Sequence, residues 1–382
     1  LFALSTEASA TSVAREIFAT VRHLPANGRE ARHVAALGAL CAGNWHEAGR
    51  GLAALSADHP RDALALQAGH QIDFFTGSSA MLRDRIASAL PAWDDGMPGY
   101  HAILGMHAFG LEETGEYRGA EVAGRRAVEL EPRDGWAHHA VAHVMEMECR
   151  QRDGIAWMRD NVDHWSKDSF LKVHNWWHLA LYHYELGEAD EVLSLYDGPI
   201  YGDRSTLALN MLDASAILWR VYLGGVDVGD RWQALADNWQ AAKPGGHYAF
   251  NDMHAAMAFV GAGRSADLDR LLAAQEAAIE GQGDNAAFTR DVGRPATLAV
   301  IAFGQGDYGA AIRHLEPIRA IAHRFGGSHA QRDVLELTLV EAALRAGDRD
   351  LAGRLTSQRH QLRPHSPLSG LLVKRSAGIA SA

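Results

Sequence analysis

Apolar residues recur along nearly the whole chain at the three- and four-residue spacing of amphipathic helices. No stretch alternates apolar and polar positions between turn dipeptides, as a half-buried strand would. The helical stretches are broken by a repeated grammar. GNWHEA (43–48), GEYRGA (115–120), GDYGAA (306–311) and GDRDLA (347–352) each place a small residue five positions after a glycine. A proline then recurs twelve residues further on, from Ala48 to Pro60, Ala120 to Pro132 and Ala352 to Pro364. The glycine supplies a left-handed helix end, the alanine lets two helices approach closely, and the proline stops the second helix. HPRD (59–62) and EPRD (131–134) then predict Asp62 and Asp134 as N-caps of the helices that follow.

Turns near Gly43, Gly77, Gly115, Gln151, Gly187, Gly224, Gly263, Gly306 and Gly347 are separated by 34, 38, 36, 36, 37, 39, 43 and 41 residues. These spacings lie near the ~34-residue period of the tetratricopeptide hairpin. They predict an all-α fold, a right-handed solenoid of about nine tetratricopeptide-like helix-turn-helix repeats. No Gly/Ser- or Pro-rich linker interrupts it, so residues 1–382 are expected to form one domain. The first residues read as the middle of a helical pattern, which predicts shortened amino-terminal helices. Residues 366–382 are expected to cap the last hairpin or to fray.

Composition narrows the classes. The 382 residues carry 36 basic and 47 acidic side chains, a formal charge of −11, which disfavours nucleic acid as a partner. No apolar run approaches the roughly 18 residues that cross a bilayer, so no membrane partner is expected. Two cysteines, Cys41 and Cys149, make no disulfide framework and suit a reducing, cytoplasmic setting. The 21 histidines stand out: protonating all of them would move the charge from −11 to +10.

In hairpins of this kind the first helix lines the concave groove, and the polar-aromatic clusters fall on first helices or beside them. In WAHHAVAHVMEM (136–147), His139, His143 and Glu146 form one stripe at i, i+4 and i+7. Two histidines one turn apart can share a metal, with the carboxylate as third ligand or base; equally, they can be buried packing residues bonded to carbonyls. One unit on, HNWWHLALYHYE (174–185) again pairs His174 with His178. Trp176 and Trp177 point in different directions, so one is expected in the core and the other can face the groove. FNDMHAAMAF (250–259) offers Asp252, which can bind a ligand or cap its helix, and His254, expected to face as His178 does. GGSHAQRD (326–333) places His329 and Arg332 at a helix start, where backbone N–H groups suit an anion; a solvated cap is the alternative. GMHAFGLEETGEY (105–117) puts Glu112 and Glu113 near a helix C-terminus, against the dipole, and calls for a compensating cation.

The sequence holds no GxSxG elbow, no GxxxxGK[ST] loop and no GxGxxG after a strand, so serine-hydrolase and nucleotide-dependent chemistry lack support. Cys149 reads as a packing residue. Taken together, GMHAFGLEETGEY, WAHHAVAHVMEM, HNWWHLALYHYE with the following LYD (195–197), AILWR (216–220) and GGSHAQRD resemble the tetratricopeptide repeat protein 38 family. The resemblance runs from about Arg29 to the C-terminal region; HNWWH and GGSHAQRD are its most specific strings. It implies an all-helical repeat superhelix, with His139 at the family position and His138 as a variation.

Two functions follow as expectations. The first is a repeat protein that binds a small polar ligand or peptide in a His/Trp-rich concave pocket, through His174, Trp177, Glu113, Asp252, His254, His329 and Arg332. The second is an enzyme of hydrolase or lyase type, with His139, His143, Glu146 and His178 as catalytic groups acting on a small carboxylate-bearing substrate. A divalent metal is compatible with either and required by neither, and an oligomer is compatible with the composition.

Overall fold

Local chemistry explains most of the chain's punctuation. In the computed structural model, which describes residues 2–379, seven of the nine turn positions are glycines at φ between +66° and +82°. The other two depart from expectation. Gly224 keeps a helical φ and Gly225 takes the left-handed conformation at +78°. Before Gln151 there is no glycine at all, and Cys149 itself adopts φ 58°. Asp62 and Asp134 cap as predicted, accepting from the Ala65 and Ala137 N–H groups at 3.0 Å. Each also accepts from a histidine on the preceding first helix, His33 at 2.9 Å and His101 at 2.7 Å. The helices Trp45–Asp58, Tyr117–Leu130 and Arg349–Leu362 stop just short of Pro60, Pro132 and Pro364.

All regular elements among the described residues are helical, and consecutive helices pack as neighbouring pairs. Examples are Tyr100–Glu112 with Tyr117–Leu130, Gly135–Met147 with Gln151–Asp160, and Arg294–Gly304 with Tyr308–Leu315. The first members of successive pairs also pack on one another. Tyr100–Glu112 meets Gly135–Met147, which meets Lys172–Glu185, which meets Ala208–Leu223, which meets Ala249–Gly261. Helix His329–Ala346 lies against both Ala208–Leu223 and Gly135–Met147. That stacking is what brings histidines from different pairs together.

One apolar cluster runs from Ala36 to Leu372 and includes the fully buried Trp165, Trp177, Trp219 and Trp239. Helix Pro367–Ala377 packs on Arg349–Leu362 through Leu372, so the C-terminal segment covers the last pair as far as it is described; residues 380–382 lie outside the described residues. The chain also folds back on itself. Asp284 N–H donates to Gly43 O at 2.9 Å, His46 N–H donates to the Asp284 carboxylate at 2.8 Å, and Trp45 stacks on Tyr248. No helix among the described residues is long and apolar enough to cross a membrane.

Candidate functional site

Four imidazoles converge where the helices Gly135–Met147 and Lys172–Glu185 face each other. One ligating atom from each of His139, His143, His174 and His178 can be chosen so that all lie within 4.8 Å of one another. Ring centroids are 4.4 Å apart for His139–His143 and His143–His178, and 4.9 Å for His174–His178. The helical spacing accounts for each pair, and the packing of two first helices accounts for the quartet.

A carboxylate stands behind three of the four rings. His174 Nδ1–H donates to Asp213, with both carboxylate oxygens at 2.9 Å. His178 Nδ1–H donates to Glu146 Oε2 at 3.2 Å. His143 Nδ1 lies 3.3 Å from Glu112 Oε2, at ion-pair distance but off the hydrogen-bond direction. Both nitrogens of His139 and His143, Nε2 of His178 and both oxygens of Glu112 are buried without a hydrogen-bond partner. Buried polar atoms are ordinarily satisfied, so this concentration marks the place chemically.

Burial sets the charge state. It holds His139 and His178 well below the usual histidine range, with neighbouring imidazoles adding to the effect, and pushes His143 down to about 4. It raises Glu146 to about 6, with Arg363 and His143 pulling the other way. Glu112 is held well above the carboxylate range by burial and by the adjacent Glu113. Burial therefore favours the uncharged forms of His139, His143 and His178 and the protonated form of Glu112.

The remaining candidates fall into two groups. Glu113, His329 and Arg332 meet at the edge of the histidine centre. The His329 N–H donates to Glu113 Oε1 at 2.8 Å, and the Arg332 guanidinium lies 3.6 Å from Glu113 Oε2. The helix-start anion site predicted at GGSHAQRD thus holds the chain's own Glu113, which is also the cation compensation predicted for that residue. Glu112, Glu113 and His143 likewise offer donor atoms within 4.8 Å of one another. His329 and Arg332 line a cavity of about 250 Å³ together with His323, Arg319 and Glu336.

Asp252 and His254 sit apart from the quartet. Asp252 does not cap its helix: Tyr248 is the N-cap, and Asp252, one turn in, accepts from Gly246 N–H at 3.2 Å and from Gln275 at 3.4 Å. His254 Nδ1–H donates to Phe250 O at 2.8 Å, which ties its ring to its own helix, and it is not one of the four converging imidazoles. Trp177 is wholly buried and stacks on His174 at 5.1 Å and 14°, under the Arg220 guanidinium; Trp176 packs on Trp165. Trp177 is thus the core member of the pair, and Trp176 is only partly buried.

Asp213 and Arg220, on helix Ala208–Leu223, were not among the candidates. Asp213 lies 39 residues after His174 with no local motif around it, and the one available signal was a charged residue on the apolar face of a first helix. No family model matches the chain.

Proposed function

We propose that this chain is a tetratricopeptide-like helical repeat protein, a superhelix of about nine hairpins, that binds a small polar, carboxylate-bearing ligand beside its histidine centre. The left-handed glycine turns and pairwise helix packing support the repeat reading, as does the resemblance to the tetratricopeptide repeat protein 38 family. The observation that carries the ligand reading is the convergence of four imidazoles and two glutamates from successive first helices, with unpartnered buried atoms, linked through Glu113 to a small cavity whose partly apolar wall includes His329 and Arg332. At about 250 Å³ that cavity suits a small molecule better than a peptide. Arg332 supplies the positive charge at its wall, while Glu113 holds that guanidinium in place. The acidic surface argues against nucleic acid, and a cytoplasmic setting fits the sparse, unpaired cysteines.

Catalysis is the second reading, favoured by one observation. Glu112, whose protonated form burial favours, stands 3.3 Å from His143, whose uncharged form burial favours, and a small side-chain rotation would align the two for proton transfer in a hydrolase or lyase.

The test is thermal unfolding of the purified chain with a panel of small hydroxy, amino and keto acids, followed by mass analysis of the incubated acids. At least one acid is expected to raise the midpoint in wild type and to lose most of that effect in Arg332→Gln. If no acid raises it and native mass spectra show the bare chain, the ligand reading fails. Turnover of a bound acid that disappears in Glu112→Gln while binding persists would promote the second reading.

A further inference from the structure

The orientation of the three backed imidazoles carries information beyond their closeness. His174 and His178 each direct Nδ1–H to a carboxylate, on Asp213 and Glu146, while His143 Nδ1 lies 3.3 Å from Glu112 without a hydrogen bond; the three acids come from three different helices. A ring whose Nδ1 is directed at a carboxylate presents Nε2 on its opposite side. This is the outer-layer arrangement found behind metal-bound histidines: the carboxylate accepts the Nδ1 proton, fixes the tautomer and makes Nε2 a stronger donor. Simple packing of buried histidines gives no reason for two independent carboxylates bonded at the same ring atom.

We propose that His143, His174 and His178, with His139 as fourth donor, bind one divalent first-row transition ion through their inward-facing nitrogens. The proposal rests on the pocket described above and names its cofactor. The donor set is all imidazole with no thiolate, which suits Zn²⁺, Co²⁺, Ni²⁺ or Cu²⁺ and excludes the hard ions Mg²⁺ and Ca²⁺. Tetrahedral ligation at about 2.05 Å sets nitrogens roughly 3.4 Å apart. The quartet's atoms all lie within 4.8 Å, so the widest pair would close by at most about 1.4 Å, within reach of small side-chain rotations. His139 has no partner at either nitrogen, so it can turn either one toward the ion. Five buried nitrogens of His139, His143 and His178 have no hydrogen-bond partner, and each such atom costs about 1–3 kcal/mol. Coordination would satisfy one nitrogen on each ring. Trp177, stacked on His174 and fully buried, keeps the centre dry, which strengthens coordination against competing water.

The experiment uses the full chain, expressed without a polyhistidine tag and stripped with a chelator. It is titrated with Co²⁺ and followed by visible absorption, then with Zn²⁺ in competition. One equivalent of Co²⁺ with the intense d–d bands of tetrahedral nitrogen ligation, displaced by Zn²⁺, is the expected result. Asp213→Asn removes a carboxylate behind a donor and should weaken uptake about ten-fold or more. The paired His143→Ala and His178→Ala change should abolish it, while His254→Gln should leave it unchanged. A wild-type titration that gives only the pale spectrum of hydrated Co²⁺ overturns the proposal, and it needs no variant to fold. Uptake that survives in the double histidine variant overturns it as well. Small acids that stabilise a chain unable to take up metal would leave the ligand reading standing while this one falls; metal uptake with no response to any acid would do the reverse.

Discussion

Burial decides what the individual acids and histidines of this chain can do. Asp252 is a plain case away from the histidine quartet. Its carboxyl is 1% exposed, and burial lifts it from 3.8 to about 6 against the Gly246 N–H and Gln275 bonds that favour the charged form. An acid whose folded value exceeds its unfolded one stabilises the fold fully below the unfolded value and loses that contribution as pH rises through the folded one. Between pH 4 and pH 7 this residue should withdraw about 2 kcal/mol of stability, taking 1.36 kcal/mol per unit and a folded value of about 6. Asp252→Asn cannot ionise, so its stability relative to wild type should rise by that amount over the window. Paired urea unfolding curves at both ends check it, and a constant difference would mean the carboxyl stays charged. Single residues also show where pattern reading stops: HxxxH spacing named His139, His143, His174 and His178, yet nothing near Asp213 marked it as the partner of His174.

At the scale of the helix pair, close approach is set by residues without side chains. Gly154 faces the buried ring of Tyr182, whose hydroxyl donates to Ala142 O at 2.6 Å across the pair. An added methyl would overlap that ring, which cannot swing away without giving up its bond. Alanine in mid-helix gains up to about 1 kcal/mol in propensity, but overpacking of a rigid neighbour costs about 1–3 kcal/mol. Gly154→Ala should therefore lower the thermal midpoint. Gly353 sits in helix Arg349–Leu362 with nothing within 4 Å of where its methyl would go, so Gly353→Ala should raise it. Opposite signs from one substitution type, read in one calorimetric series, test whether packing or propensity governs these helices. The turn grammar was legible because glycine, aspartate and proline act within a few residues of themselves. Cys149 at φ 58° and Gly225 in place of Gly224 show its limit: the geometry was needed, but the residue supplying it was open to substitution.

Over the whole molecule, the contacts that matter most join segments more than 170 residues apart. The Asp284 carboxylate binds His46 at both its N–H and its ring, Tyr248 O–H donates to Phe75 O at 3.2 Å, and a methyl on Gly77 would collide with the His323 carbonyl. Gly77 is also at φ +66°, strained for any other residue. Gly77→Ala should force the two segments apart. Hydrogen exchange should then speed up on both sides, in residues 43–81 and 283–327, although only one side carries the change. Faster exchange confined to the turn at Gly77 would show that the long-range contact contributes little.

Helix periodicity, the glycine-turn and proline rhythm, and the placement of paired histidines one helical turn apart followed from the amino-acid order alone, because those effects act over a handful of residues. Which rings would meet depended on how the first helices stack. The histidine pairs came together from adjacent first helices, whereas His254, two packed helices further on, was bonded to its own carbonyl. The carboxylates behind the rings, the capture of Glu113 by the helix start at His329, and the return of the chain onto Gly43 and Gly77 depended on tertiary packing. Each joins groups whose separation along the chain leaves no local imprint, and a contact of that kind is set by the summed packing of every helix between its ends.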